Sequence, residues 1–414
     1  MIKRATDPYA ALRYPEFVNI ISGTFLLTMA LLIQEVIVSY ELYRMTHSKM
    51  VLGMIGLVQA GPYIAMALFS GHLADRISRI WIMRIAVLGT ALCSALFLYL
   101  FQPQVQMQLG QQKLLWSIYG VMALIGVARS FYGPATSALR AMIIPREHYA
   151  NASSWSSSFW QVGAILGPGV AGFMYLGWGL QGTLLFCFVT VSVVLVCLIF
   201  VKNRPAPKNA QQGNLWESIR EGIQFVAKAK ILLYAISLDL AAVLFGGVIA
   251  ILPVFAEDIL KVGPEGLGIL RAAPAVGAVL MLVVAAYIPV TRQAWRNMLL
   301  SVAAFGVATL VFAISTNFWL SVFMLFLTGL FDSVSILVRG TILQVIPPDH
   351  LRGRVTAVNS IFVSSSNEIG AFESGMAAQM LGTIPSVLLG ATLTLGIVGW
   401  VWMKSDDLFD VKLD

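Results

Sequence analysis

Among the ionisable side chains inside long apolar runs of this sequence are Glu35, Arg129, Asp239, Asp332, Arg339, Glu368 and Glu373. A charge in hydrocarbon is costly, so such groups pair with each other, bind a proton or face water. A carboxylate taken out of water readily becomes a proton carrier. Glu35 is the first choice for that role and Asp239 the second, and Arg129 is a functional candidate because an arginine at membrane depth is costly. Asp332 and Arg339 are seven residues apart, which places them on one helix face about 10 Å apart along the axis. Together with Glu368 and Glu373 they form a candidate network of buried charge, in which Arg339 is expected to pair with Glu368 or Glu373. Other chemistry finds no support. There is no phosphate-binding Gly-rich loop ending in Lys-Ser/Thr, and no nucleophile beside a base. Cys93, Cys187 and Cys197 lie in apolar runs, and His47, His72, His148 and His350 are scattered near run ends. Hence no metal site, disulfide framework, cofactor or enzyme activity is expected.

The elements that hold these groups follow from composition. Of 414 residues, 58% are hydrophobic and 11% charged, against about 25% charged in a soluble domain. Such a chain cannot cover itself with a hydrated skin, so lipid is its solvent and its first partner. The net charge of +7 would suggest nucleic acid in a soluble protein. Here the basic residues sit in short gaps between apolar runs, so nucleic acid is not expected as a partner.

A bilayer core of about 30 Å needs around 20 apolar residues in a helix. Twelve runs fit: 17–43, 50–74, 79–101, 113–140, 152–176, 180–201, 231–256, 265–289, 297–315, 318–345, 354–381 and 384–403. Lipid leaves the backbone no partner but its own helix. The first run is too long for a cleavable signal and reads as a first membrane helix. Alternate gaps carry Arg13, Arg76 and Arg79, Arg146, Lys202 and Arg204, Arg292 and Arg296, Arg352 and Arg354, and Lys404. The positive-inside rule then places both termini in the cytoplasm of an inner (plasma) membrane, the bacterial case. The longest gap divides the chain into a six-helix bundle over 1–201, a linker over 202–230 and a second bundle over 231–414. Within the linker, Leu215, Trp216, Ile219, Ile223 and Val226 recur at helical spacing, as in an amphipathic helix on the inner membrane surface. The halves echo each other: Ile144-Pro145-Arg146-Glu147-His148 returns as Ile346-Pro347-Pro348-Asp349-His350. Internal repeats of this sort mark secondary transporters, with a substrate site between the repeats. The expected fold is an all-α membrane protein of twelve transmembrane helices in two pseudo-symmetric bundles, acting as a monomer.

The end of the second run, Gly71-His72-Leu73-Ala74-Asp75-Arg76-Ile77-Ser78-Arg79, resembles the inner-loop signature of the major facilitator superfamily, departing from it at Ser78 and Ile80. The resemblance implies that Gly71, Asp75, Arg76 and Arg79 latch an inner gate. Arg129, four residues before Gly133, is similar to the superfamily's fourth-helix motif, linked there to proton coupling. Gly163, Gly167, Pro168, Gly169 and Gly172 are similar to its antiporter motif in exporters, with Ala171 in place of one glycine. Small residues four apart let helices approach closely, and Pro168 permits a bend. Phe331-Asp332-Ser333-Val334-Ser335 with Arg339, then Arg352-Gly353-Arg354, then Gly370-Ala371-Phe372-Glu373-Ser374-Gly375 resemble bacterial relatives of the enterobactin-exporter type. The implied function is proton-coupled export of a small amphipathic molecule by alternating access. The rivals are a lipid-like flippase without proton coupling and a non-transporting sensor or assembly factor on a transporter fold. Trp155, Trp160, Phe131 and Tyr132 are candidates to flank an aromatic substrate.

Overall fold

The computed structural model describes residues 7, 9–204, 215–287 and 293–409, and among these the chain is helical throughout, apart from short turns. The helices are α1 (Pro15–Thr46), α2 (Lys49–Arg76), α3 (Arg79–Leu100), α4 (Pro103–Ile143), α5 (Tyr149–Ile199), α6 (Leu215–Lys228), α7 (Lys230–Gly246), α8 (Gly263–Tyr287), α9 (Ala294–Ile314), α10 (Phe318–Val345), α11 (Asp349–Leu381) and α12 (Thr383–Lys404). Among the described residues, ten helical stretches are long and apolar enough to cross a membrane.

Two of these helices contain a glycine break. α5 spans 51 residues, and at about 1.5 Å per residue that is more than twice the thickness of a bilayer core. Its backbone leaves the helix at Gly179 (φ 65°, ψ −177°), a conformation that a Cβ essentially forbids. The break falls between the fifth and sixth apolar runs. Gly110 (φ 69°, ψ 163°) does the same in α4, separating a short surface turn from the membrane limb. The end of α5 is held by one arginine. Arg84 donates from Nε and Nη2 to the carbonyls of Leu198, Ile199 and Val201 at 3.0–3.2 Å, satisfying acceptors that the helix itself leaves without partners.

The chain forms two compact units, one of Met1–Met45 with Val58–Ala210, the other of Thr46–Leu57 with Gln211–Asp414. In the first, Ser94 Oγ of α3 donates to the buried Gln34 Oε1 of α1 at 2.8 Å. At the far end of α1, buried Glu41 accepts a hydrogen bond from Tyr175 Oη and pairs with Arg44 at 3.1 Å.

In the second unit, α7 loses its regular helix at Gly247 and continues through 3₁₀, α and π turns to Ile259. Ser374 Oγ of α11 donates to the freed Gly247 carbonyl at 2.8 Å. That is the way broken backbone is tolerated in lipid. The opening turns of α2 pack on α11: a Cβ added at Gly53 would lie 2.9 Å from Phe372 O, and one at Gly56 would lie 3.1 Å from Glu368 O. α6 also docks on α11. Gly222 abuts the carbonyl of Arg354, Glu221 pairs with Arg354, and Val226 enters the core. Ile223 remains exposed on the opposite side. A glycine at the crossing, flanked by an ion pair, is a protein-facing surface.

Candidate functional site

A cavity with a volume of about 390 Å³ lies within the first unit. Its wall is apolar, built from Leu27, Leu31, Phe97, Met122 and Ile125 among others. The polar groups converge from four helices: Glu35 from α1, Gln59 and Tyr63 from α2, Thr90 from α3, and Arg129, Tyr132 and Arg140 from α4. Trp160 of α5 completes it. An apolar enclosure with a few placed polar groups is the usual character of a small-molecule site.

The geometry of α4 explains much of this convergence. Arg129, Tyr132, Gly133, Thr136 and Arg140 follow helical spacing and share one face. Arg129 Nη1 donates to Gln59 Oε1 at 3.3 Å, and Arg140 Nη2 donates to Ser137 Oγ at 3.1 Å. Tyr132 Oη lies 3.3 Å from Thr24 Oγ1. Gly133 keeps space open, since a Cβ there would meet no heavy atom within 4 Å. Of the aromatic candidates, Trp160 and Tyr132 line the cavity, whereas Trp155 packs against Tyr9 and Phe159. The sequence reading did not single out Arg140, Gln59 or Tyr63. For Arg140 a signal existed, its eleven-residue spacing from Arg129 on one helix face.

The glycines of α5 pack on α1. A Cβ at Gly163 would lie 2.9 Å from Phe25 O, and one at Gly167 would lie 3.0 Å from Met29 O. Gly163, Gly167, Pro168 and Gly172 are buried and Gly169 half-buried, and Pro168 stands within continuous helix. For the inner-gate motif, the backbone of Gly71, Asp75 and Arg76 closes α2, while the side chains of Asp75 and Arg76 lie outside the described residues. Arg79 is buried at the start of α3, its guanidinium against Met142 Sδ.

The second unit separates the expected charge network into parts. Arg339 of α10 pairs with Asp239 of α7, both buried, and not with Glu368 or Glu373 of α11. Helix rotation decides this: α10 turns the Arg339 side towards α7. The second-choice proton carrier, Asp239, is therefore held as the counter-ion of a buried arginine. Asp332, two turns earlier on α10, lines a cavity of about 150 Å³ with Thr309, Thr328 and Asn367. Glu373 lines a separate small pocket beside Gly247 and Ser374. Glu368 lies near Gly56 of α2, where an added Cβ would be 3.4 Å from its Oε2. Among the described residues no group of three or more metal-ligating side chains is assembled.

Comparison with known proteins places these features in a family. The sequence is 24% identical to macrolide efflux protein A of Streptococcus pyogenes over 387 residues, 90% of this chain and 91% of that protein. It is 23% identical to the enterobactin exporter EntS of Shigella flexneri over 397 residues, 93% of this chain and 92% of that one. An uncharacterized MFS-type transporter, YkuC of Bacillus subtilis (strain 168), is 26% identical over 218 residues; the match spans only 46% of that protein and 48% of this chain. The fold is similar to the crystal structure of the nucleoside transporter NupG, with a TM-score of 0.70 at 13% identity over 96% of this chain and 100% of the other. The Major Facilitator Superfamily pattern matches residues 20–371. The chain therefore belongs to the Major Facilitator Superfamily and is a multi-pass membrane transporter of small molecules, not an enzyme.

Proposed function

We propose that this transporter is a proton-coupled exporter of small amphipathic molecules, working by alternating access. The cavity of the first unit carries the reading: apolar walls suit the body of an amphipathic substrate, and Glu35, Gln59 and Arg129 supply its polar contacts. The efflux and exporter functions named for two relatives aligned over nine-tenths of the chain support the direction. Protonation of a cavity carboxylate removes a charge from low dielectric and so biases one conformation over the other. Glu35 lines this cavity together with Arg129 and Arg140, and Asp332 lines a second one.

The reading includes twelve crossings in two bundles, 1–201 and 231–414, joined by the 202–230 linker. The stretch Asn151–Ile199 counts as two crossings on account of the Gly179 break. α11, with 33 residues, is long enough to cross although polar. Both termini face the cytoplasm of a bacterial inner membrane, and the protein works as a monomer among lipids. Gly71, Asp75, Arg76 and Arg79 act as the inner gate. The glycine seam of Gly163 and Gly167 against α1 supports tight packing beside the substrate path, with Pro168, Gly169 and Gly172 extending it.

The test is transport of ethidium in proteoliposomes holding the purified full-length chain. An imposed pH gradient is expected to drive dye movement, and collapsing the gradient with an ionophore to stop it. Dye movement indifferent to the gradient would remove the proton from the mechanism. Glu35→Gln and Arg129→Ala are expected to lower dye affinity or coupling, and normal behaviour of both would remove the site.

A further inference from the structure

The carboxylates within the spans differ in what surrounds them. Asp239 has Arg339, and Glu41 has Arg44 and the Tyr175 hydroxyl. Glu35 shares its cavity with Arg129 and Arg140. Asp332 differs, because every other residue lining its 150 Å³ cavity is uncharged. We propose, on the basis of the coupled-transport reading above, that Asp332 is the residue that binds and releases the coupled proton, with Glu35 serving the substrate.

Its polar neighbours strengthen the assignment. A carboxylate needs donors, whereas a neutral carboxyl needs an acceptor for its own hydrogen. The hydroxyl of Thr309 already donates to Phe305 O at 2.9 Å, and that of Thr328 to Leu325 O at 2.6 Å. One amide hydrogen of Asn367 is spent on Val363 O at 3.0 Å. The polar side chains that line the cavity with Asp332 thus have both hydroxyl hydrogens and one of the two amide hydrogens committed to backbone carbonyls, which suits the protonated form. An ionised carboxylate without a cation is costly at membrane depth.

The charged groups on the surrounding helices are otherwise placed. On α7, Asp239 precedes the cavity-lining Ala242 by about one turn and is held by Arg339. On α8, Arg271 is buried one turn before Pro274 and has interactions of its own. α9 presents Phe305, Thr309 and Phe312, all neutral. On α11, Glu368 lies by Gly56 and Glu373 by Gly247. The proton comes from bulk water when the cavity is hydrated and returns to it on the other side. No bond other than O–H forms or breaks.

Two readouts test the assignment on the full-length protein. Infrared difference spectra in detergent, between acid and alkaline buffer, are expected to contain a protonated-carboxyl band. That band should vanish in Asp332→Asn, persist in Glu35→Gln and reappear, shifted, in Asp332→Glu. In proteoliposomes, Asp332→Asn should abolish the effect of a pH gradient on ethidium movement while dye still exchanges down its own gradient. Thermal melting and elution volume close to wild type separate loss of the proton site from loss of the fold, and the Asp332→Glu rescue does so independently. A band unchanged in Asp332→Asn, or one removed by sodium at constant pH, would overturn the assignment. If the wild type ignores the gradient while the band depends on Asp332, the coupling reading fails and the proton site stands.

Discussion

Asp239 and Arg339 show how one residue changes meaning once its partner is known. Alone in an apolar run, an aspartate is a candidate proton carrier. Buried against a guanidinium it is a counter-ion. Breaking such a pair on one side leaves an uncompensated buried charge, at a cost of about 3–5 kcal/mol. Asp239→Asn is therefore expected to lower the thermal midpoint in detergent markedly, with Asp239→Asn/Arg339→Gln recovering part of the loss. A single variant as stable as wild type would mean that the pair contributes little. Gly133 makes the opposite case, in which a missing side chain matters because the space beside it is open. Gly133→Trp is expected to fill cavity volume and weaken ethidium binding at least several-fold, without a fall in melting temperature. Fluorescence titration and a melting curve on the same sample check both halves.

At the scale of elements, close helix crossings follow from glycine placement. Gly163 and Gly167 bring the α5 surface onto the α1 backbone, with the Phe25 and Met29 carbonyls next to the space a side chain would fill. Overpacking such a contact costs about 1–3 kcal/mol. Gly163→Leu should therefore destabilise the first unit by that order, and Gly177→Leu, where a Cβ meets nothing within 4 Å, should not. Melting of the two variants side by side is the measurement. Element ends depend on local chemistry. Pro15 opens α1 at a position where a helix lacks a hydrogen-bond acceptor for its N–H, and Gly179 sits where the polypeptide must leave the helix. The docking of α6 was not readable. Its amphipathic pattern says only that one face is apolar, and both lipid headgroups and α11 suit such a face.

At the scale of the whole molecule, the charge pattern of the loops makes a topological prediction that does not depend on any side-chain contact. Lys404 lies in one of the basic gaps, and Lys261 lies in a gap between two of them. In intact cells expressing a variant without Cys93, Cys187 and Cys197, Lys261→Cys should react with a membrane-impermeant maleimide. Lys404→Cys should react only after permeabilisation. The reverse pattern would invert the proposed orientation.

The sequence by itself determined the class, the approximate helix limits and several of the ionisable residues inside the apolar runs. Each depends on properties local to the chain: the length of an apolar run, the backbone freedom of a glycine, the placement of arginine in a gap. Tertiary structure decided which of those ionisable residues belong together. Glu35 and Arg129 come into one cavity with Gln59 and Arg140 because α1, α2 and α4 turn those faces inward. Arg339 takes Asp239 from α7, leaving Asp332 as the charged residue of its own cavity. The physical reason is that a partner is chosen by the rotation and packing of whole helices, which side chains distant in the chain set jointly, and hydropathy along one helix carries no record of that choice.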